Sequence, residues 1–229
     1  MERSEEPRRW PRGSFLASLN PGDRDALLSM GTSRRFDAGA VLVRSGEPGT
    51  DVALLLDGCV KVMADSKEGR PVLLAVRVFG DLIGELAALD ENPRSATVIA
   101  AVPTRARVMS RQAFLGFVTG RPAVGLTLQR SIVAKLRMAT RYRIDVSGAP
   151  VVIRVARILD QLADSYGRAE SAEVHIDVPL TQPEIAALVG AALPSVERAL
   201  ASLRKGGMIS TGYRHYVIRD LGALRRLVS

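Results

Sequence analysis

One stretch decides the interpretation of this chain: Gly84-Glu85-Leu86-Ala87-Ala88-Leu89-Asp90-Glu91-Asn92-Pro93-Arg94-Ser95-Ala96-Thr97. Gly84 has no Cβ, so the backbone can approach a ligand closely at this point. The residues after it can open a short helix, whose free N–H groups and positive dipole end suit an anion. Arg94 offers a planar fork of donors to phosphate oxygens, Ser95 adds a hydroxyl, and Glu85 can accept from a ribose hydroxyl. The stretch therefore predicts a pocket for a cyclic nucleotide.

The candidate ligand-binding residues of this stretch are Gly84, Glu85, Leu86, Arg94 and Ser95. The alternative interpretation is a surface hairpin, in which the carboxylate and the guanidinium form a solvated ion pair worth about 0–1 kcal/mol. Two blocks of resemblance favour the pocket. The run from Gly84 to Ala87, followed by a loop and the run from Pro93 to Thr97, is similar to the phosphate-binding cassette of cyclic-nucleotide-binding domains. Residues 36–62 resemble the opening strands of the same domain, as it occurs in bacterial catabolite activators, kinase regulatory subunits and nucleotide-gated channels.

The composition is that of an ordinary globular protein, with 229 residues, 47% hydrophobic and 24% charged. No apolar run approaches the roughly 18 residues of a membrane span, so we expect no membrane partner. Residues 1–12 mix both charge signs and lack an apolar segment, so we expect no secretory signal and a flexible tail over residues 1–19. The single cysteine, Cys59, excludes an internal disulfide framework, and a small core residue in a reducing cytoplasm is expected.

The charge is distributed unevenly along the chain. The formal net charge is +8, which concerns association with partners rather than the fold. Seven basic and two acidic residues lie between Ser195 and Ser229, whereas three basic and six acidic residues lie between Ala149 and Pro194. Positive charge therefore collects at the C-terminal end, where nucleic-acid binding is expected, although a solvated surface has the same composition.

Residues 20–118 contain short apolar runs separated by turns, and most of these turns contain glycine. This pattern is typical of an antiparallel barrel or jelly roll, so we expect an α+β protein that begins with an antiparallel β-roll. The expected strands cover residues 40–44, 52–57, 59–64, 72–78, 82–83, 96–101 and 105–110.

A long helix is predicted within the segment 119–147, from Pro122 to about residue 146. Proline suits its first turn, and Gly148-Ala149-Pro150 ends it. An apolar four-three spacing favours pairing with a second copy as a short coiled coil, and a single amphipathic helix packed on the barrel is the alternative. The residues of this spacing are Ile132, Leu136, Ala139, Arg143 and Val146.

Residues 148–229 are predicted to form a winged helix-turn-helix domain. Thr181 and Glu184 have the spacing of a capping box, so a helix begins after Thr181. Gly190 ends this helix, and Pro194 lies in the first turn of the next. Two short helices joined by a tight glycine-containing turn and followed by a hairpin are typical of DNA-binding domains, and a generic small α/β module is the alternative. The other expected elements are a helix at 151–166, a strand at 174–178 and hairpin strands at 208–210 and 213–218 around a turn at Thr211-Gly212.

The order of sensor, long helix and winged domain resembles the Crp/Fnr family of bacterial transcription regulators. The resemblance implies a homodimer on double-stranded DNA, with its recognition helices in successive major grooves about 34 Å apart. It also implies control by a cyclic nucleotide, through a shift between conformations, and action on RNA polymerase. Thr140 falls where catabolite activators hydrogen-bond the exocyclic amine of adenine, which makes cAMP the expected ligand and cGMP less favoured.

The predicted recognition helix departs from the pattern of many catabolite activators. Their Arg-Glu pair of base-contacting residues is replaced by Leu193 and Pro194, which cannot make bidentate contacts to bases. Arg198 remains where the family places a further base-contacting arginine, so we expect DNA binding with an altered or weaker consensus. The other candidate DNA-binding residues, several of which suit phosphates, are Thr181, Gln182, Ser195, Arg204 and Lys205.

Other functions remain open from the sequence. A cyclic-nucleotide-binding module that regulates a protein partner is compatible with the lost Arg-Glu pair. A regulator of the same fold that binds another ligand, or none, is compatible with the same motifs. An enzyme, such as a phosphodiesterase, would need a metal-ligand or nucleophile–base constellation, which the two histidines His175 and His215 do not supply. We therefore expect no enzymatic activity, no metal, and no haem or cluster in the sensor.

Overall fold

The computed structural model describes residues 10–65, 71–176 and 178–228. The N-terminal half is a β-roll of two four-stranded antiparallel sheets, with the strand orders β1-β8-β3-β6 and β2-β7-β4-β5. The strands are β1 (Thr32–Phe36), β2 (Val41–Val43), β3 (Asp51–Asp57), β4 (Cys59–Asp65), β5 (Pro71–Val78), β6 (Leu82–Ile83), β7 (Thr97–Ala100) and β8 (Thr104–Ser110). The predicted α+β fold with an antiparallel β-roll is confirmed.

Strand β3 explains how the roll is filled, because it is buried on both faces. Successive side chains of a strand point to opposite faces. Val52 and Leu54 enter a cluster with the surrounding helices, whereas Ala53 and Leu55 enter a second cluster inside the roll. Because both faces of β3 are buried, its sequence is a continuous apolar run and not an alternation of apolar and polar residues.

Four helices surround or leave the roll: α1 (Pro21–Ser29), α2 (Glu85–Asp90), α3 (Arg111–Thr119) and α4 (Pro122–Gly148). The predicted long helix is confirmed, and α4 begins with proline as expected. Val124 and Leu128 of α4 are buried in the same cluster as Phe114 and Phe117 of α3. The first two turns of α4 are therefore fixed to the sensor.

The predicted apolar spacing along α4 needs a correction. Ile132 packs against the sensor core, and Ala139 and Arg143 line a cavity, so these residues do not share one free face. The exposed apolar side chains of α4 are instead Leu126, Val133, Leu136, Tyr142, Ile144 and Val146. Tyr142 also lines the cavity and Val146 lies close to Gly190 at the end of α6, so the free apolar face of α4 consists of Leu126, Val133, Leu136 and Ile144.

The C-terminal domain consists of four helices and a four-stranded antiparallel sheet with the order β11-β12-β10-β9. Its elements are α5 (Val151–Tyr166), β9 (Gly167–Glu170), β10 (Glu173–Ile176), α6 (Gln182–Val189), α7 (Leu193–Lys205), β11 (Ile209–Gly212), β12 (His215–Ile218) and α8 (Leu221–Val228). The predicted strand at 174–178 extends over Asp177, which lies outside the described residues.

Helices α6 and α7 meet at 103°, within the range of a helix-turn-helix. Thr181 and Glu184 form the predicted capping box at the start of α6, and Gly190 ends α6 in a left-handed conformation with a φ of 60°. The predicted helix-turn-helix is confirmed. No single helix in the described ranges is long and apolar enough to cross a membrane. Helices α6 and α7 reach that length and apolar content only when they are taken together, and their apolar side chains form the core of the domain.

The prediction of a flexible tail over residues 1–19 is wrong for its C-terminal part. Phe15, Leu16 and Leu19 are buried in the sensor core, and the N–H of Leu16 donates to the carbonyl of Gly80 at 2.9 Å. These apolar side chains follow a charged stretch and pack with Val52, Leu54 and Leu82 of the roll. Residues 1–9 lie outside the described part of the chain.

The turn of the wing lies two residues later than predicted. Gly212 pairs with His215 at the end of the β11–β12 ladder, so the turn residues are Tyr213 and Arg214. Arg214 takes the left-handed conformation, with a φ of 54°, which is uncommon for a residue other than glycine. The glycine is used as a strand residue, and the tip of the wing carries an aromatic and a cationic side chain instead.

The two domains share one hydrophobic cluster. Cys59, Leu73 and Val76 of the sensor belong to the same buried cluster as the cores of α5, α6 and α7. Burial raises the pKa of the Cys59 thiol to about 12, so it stays protonated at neutral pH and acts as an apolar side chain. Lys61 on β4 forms an ion pair with Glu184 on α6. The winged domain is therefore docked on β4 and β5.

Candidate functional site

The cassette is built around the start of α2. Gly84 precedes this helix with a φ of 84°, a conformation that L side chains rarely adopt. A Cβ at Gly84 would lie 2.0 Å from Nη1 of Arg94. Only glycine therefore lets the arginine of the cassette pack against the turn that opens α2.

Arg94 is buried at the centre of the cassette, with 5% of its surface exposed. Its Nη1 donates to the carbonyl of Gly84 at 3.0 Å, and its Nη2 donates to the carbonyl of Asp51 at 2.6 Å and to the Asp51 carboxylate. These contacts fix the plane of the guanidinium. A phosphate in the cavity would meet an arginine that is already oriented, and would share it with the half-exposed Asp51 carboxylate.

Glu85 is the second buried charge of the cassette, also 5% exposed. Nζ of Lys135, on α4, donates to its Oε1 at 2.7 Å. The carboxylate keeps lone pairs that can accept from a sugar hydroxyl. The ion pair joins the cassette to the long helix, so the predicted ligand-binding residues and α4 are electrostatically linked.

A cavity of about 490 Å³ opens beside these residues, within the range of small-molecule sites. Its wall comes from the cassette, from strands of the β-roll including β5, from the middle of α4, and from α5 together with Leu188 of α6. The predicted ligand residues that line it are Gly84, Glu85, Leu86, Arg94 and Ser95. The structure therefore brings five of the six predicted ligand residues together.

Thr140 is the sixth predicted ligand residue and does not line this cavity. It lies on the exposed side of α4, and its hydroxyl donates to the carbonyl of Leu136 at 3.0 Å. Ala139, its neighbour, faces the cavity. The role of Thr140 toward adenine stays a prediction, and within one chain the hydroxyl points away from the cassette.

Two residues of the candidate site, Lys135 and Asp51, were not predicted from the sequence. Each lies far along the chain from its partner: 50 residues separate Lys135 from Glu85, and 43 separate Asp51 from Arg94. The only local signal is a lysine beside Met138 and Ala139 on the side of α4 that faces the cavity.

A buried polar cluster closes the cavity on the side of the winged domain. The hydroxyl of Tyr166, at the end of α5, lies 3.2 Å from the carbonyl of Val76 and 3.2 Å from Oδ2 of Asp81. Burial raises the pKa of the Asp81 carboxyl, although Arg77 and Lys135 oppose this shift. Burial also raises the pKa of the Tyr166 hydroxyl. The tyrosine therefore stays a hydrogen-bond donor, and it anchors α5 to the sensor.

A second functional surface is the recognition helix, α7. Arg198 is exposed on it, and its Nη2 donates to the Ser195 hydroxyl at 3.2 Å. Arg204, in the last turn, donates to the hydroxyl of Thr211 on the wing at 3.1 Å, and Lys205 beside it is exposed. Thr181 and Gln182 stand at the start of α6, where Thr181 is used in the capping box. All the predicted DNA-binding residues are thus on α6, on α7 or immediately before α6.

The two residues that replace the family's base-contacting pair have structural roles. Leu193 packs against the core of the winged domain, and Pro194 lies in the first turn of α7, where its missing N–H leaves no bond unmade. The exposed side chain in the first turn of α7 is therefore the apolar ring of Pro194. Polar contacts from this helix come from Ser195 and from residues further along it.

Comparison with known proteins agrees with this architecture. Residues 33–120 match the family model of the cyclic nucleotide-binding domain, and residues 153–227 match that of the Crp-like helix-turn-helix domain. The chain is 31% identical over 215 residues to the CRP-like cAMP-activated global transcriptional regulator of Mycobacterium tuberculosis. The aligned region covers 94% of this chain and 96% of that protein. It is 27% identical over 210 residues to the cyclic AMP receptor protein of Thermus thermophilus, covering 91% and 94%.

The solved structure of FixK2 from Bradyrhizobium japonicum has the same fold, with a TM-score of 0.75 at 22% identity over 87% of this chain and 98% of FixK2. The chain belongs to the Crp/Fnr family of transcription regulators, whose members carry a cyclic-nucleotide-binding domain and a Crp-like helix-turn-helix.

Proposed function

We propose that this protein is a homodimeric, DNA-binding transcription regulator that cAMP controls. The observation that carries the proposal is the buried, pre-oriented Arg94 beside Glu85 in a cavity of nucleotide size. The relatives whose names include cAMP support this choice of nucleotide. The cation of Arg94 would bind the cyclic phosphate, and Glu85 would accept from the ribose hydroxyl.

Calorimetric titration of the purified protein with cAMP tests the ligand. We expect saturable binding at one site per chain, with a dissociation constant in the micromolar range, about −8 kcal/mol. Arg94→Ala should weaken binding by about 2–5 kcal/mol, because a charge of the ligand loses its partner in a desolvated site. A folded Arg94→Ala protein that loses less than about tenfold would contradict the role of this arginine, and a wild type that gives no heat at several temperatures would contradict the ligand.

We infer that α4 is the dimer helix. Leu126, Val133 and Leu136 are exposed on it, at 47%, 48% and 65%, with Thr140 one turn further on. Their spacing follows a coiled-coil seam, so a second α4 would cover them. In such a dimer Thr140 would face the partner, where an adenine contact becomes available. Leu136→Glu should shift the protein from dimer to monomer in sedimentation, whereas Arg141→Glu, at an exposed position of α4 outside this seam, should not.

We infer that α7 enters the major groove, with Arg198 contacting base edges and with Ser195, Arg204 and Lys205 on phosphates. The exposure of Arg198 and the net positive charge of the C-terminal segment support this assignment. A binding-site selection with wild type and Arg198→Ala tests it. We expect loss of preference at one base pair in each half-site, about 1–3 kcal/mol, and an unchanged selected consensus would contradict the role.

Action on RNA polymerase is the last part of the proposal. It is supported by the relative named a global transcriptional regulator, since a DNA-bound regulator changes transcription through the polymerase. Transcription in vitro from a template that carries the selected site should change on addition of the protein with cAMP. An unchanged transcript level on an occupied site would contradict this part alone.

A further inference from the structure

The cavity has a wall that belongs to the DNA-binding domain. Ile158, Gln161, Leu162 and Tyr166 of α5 line the same cavity as the cassette. Residues 158, 162 and 166 follow each other at one-turn intervals, and Gln161 lies beside them, so one face of α5 is turned to the cavity. Tyr166 fixes that face to the sensor through Asp81.

The polar groups of the cavity wall differ in how they are satisfied. Arg94, Glu85, Lys135 and Tyr166 all make hydrogen bonds to neighbouring groups. The side-chain amide of Gln161 is partly buried and makes no hydrogen bond to any residue in the described ranges. Because this amide lines the cavity and its donor and acceptor are not used by neighbouring described residues, a ligand in the cavity can pair with both.

We propose that Gln161 recognises the base edge of the nucleotide whose phosphate and ribose the cassette holds. This inference rests on the proposed function. An amide presents one acceptor beside one donor, which matches the exocyclic amine and N7 of adenine, whereas the corresponding edge of guanine presents two acceptors. Ile158 and Leu162 on either side offer apolar contact to the flat faces of the base. Gln161 is thus a specificity-determining residue supplied by the winged domain.

The position of Gln161 has a consequence for regulation. A base contact from α5 binds the ligand to the domain that carries α7, so ligands with different bases differ in how firmly they hold that domain. A ligand shifts a conformational equilibrium only by its differential affinity for the two states. The base contact supplies such a difference.

Titrations with cAMP and with cGMP on four proteins test the inference: wild type, Gln161→Leu, Gln161→Glu and Arg94→Ala. Gln161→Leu should weaken cAMP binding about five- to tenfold, because an apolar side chain cannot pair with the base. Gln161→Glu presents only acceptors, which suit the N1–H and amine of guanine, so the ratio of the two dissociation constants should shift at least tenfold toward cGMP. Gln112→Leu and Gln112→Glu, at an exposed position of α3 outside the cavity, are the matched controls and should behave as wild type.

The outcomes separate this inference from the function on which it rests. If Arg94→Ala loses both nucleotides while both Gln161 variants keep the wild-type ratio, the pocket is real and Gln161 has no part in it. If wild type binds neither nucleotide, the proposed ligand and this inference both fail. If Gln161→Leu does not fold, the ratio measured on Gln161→Glu decides, since a merely structural role would not move the preference between two bases.

Discussion

The cassette depends on a contact that a single methyl group would break. Gly84 and Gly39 have nearly the same left-handed φ, 84° and 85°, so an alanine is strained at either position. They differ in what a Cβ would meet: Nη1 of Arg94 at 2.0 Å for Gly84, and nothing within 4 Å for Gly39. The pair therefore separates backbone strain from displacement of the arginine.

Gly84→Ala should weaken cAMP binding at least tenfold, because it displaces Arg94 from its place beside the cavity. Gly39→Ala should lower the free energy of unfolding by about 1–2 kcal/mol and leave cAMP binding unchanged. Titration calorimetry and urea denaturation on both variants measure the two effects. Equal losses of affinity in the two variants would show that the close approach of Gly84 to Arg94 does not matter.

Residue types and local spacing were enough to predict Gly84, Glu85, Arg94 and Ser95, since all four lie within one turn-helix-loop segment. Asp51 and Lys135 could not be predicted from the sequence, because each contacts a partner that is distant along the chain and close only in the folded protein. Thr140 was placed by alignment to a position that faces away from the cavity of its own chain.

Among the elements, α6 has two roles at its first turn. Glu184 accepts from the N–H of Thr181 at 2.8 Å, which completes the capping box, and it also pairs with Lys61 of β4. Burial alone would raise the pKa of Glu184, but the Lys61 and Thr181 contacts outweigh it and hold the pKa below its ordinary value of 4.5. One carboxylate therefore starts the helix and docks it on the sensor.

Because the folded-state pKa of Glu184 is lowered, its contribution to stability is present above pH 4.5 and is lost as the pH falls through the folded value. Glu184→Gln keeps an acceptor for the cap but not the charge. It should lower the free energy of unfolding at about pH 7 by roughly 0.5–1 kcal/mol, and the difference from wild type should shrink as the pH falls below 4.5 and through the folded value. Urea denaturation across this range measures it, and a difference independent of pH would contradict the ionic role.

The elements that the sequence predicted well are those with strong local signals: the glycine turns of the roll, and the caps of α4, α6 and α7. Strand β1 was missed because Thr32–Phe36 is exposed along four of its five residues and shows no alternation of apolar and polar side chains. The wing turn was predicted at Thr211-Gly212, since glycine is common in turns, whereas Tyr213 and the left-handed Arg214 form it.

For the whole molecule, the decisive feature is the docking of the winged domain. The order of domains was predictable from motifs along the chain, but the shared cluster of Cys59, Leu73 and Val76 with α5 to α7 was not. Apolar residues on β4 and β5 fit a β-roll core as well as an interface, so their partners depend on tertiary structure.

Tyr166→Phe tests whether the buried cluster holds the two domains together. Loss of the hydroxyl leaves Asp81 without one of its donors in a buried site, so the free energy of unfolding should fall by about 1–3 kcal/mol. Tyr142→Phe, at a tyrosine that is 38% exposed on α4, should change it by less than about 0.5 kcal/mol. Equal effects in the two variants would contradict an anchoring role for Tyr166.

If cAMP controls this protein, ligand binding in the cavity and DNA binding at α7 are coupled. Fluorescence anisotropy gives the affinity of the protein for its selected DNA site with and without saturating cAMP. We expect cAMP to change this affinity at least tenfold, about 1.4 kcal/mol, and DNA to change the affinity for cAMP by the same factor, as linkage requires. A protein that binds both ligands, with neither affinity affected by the other, would contradict the account.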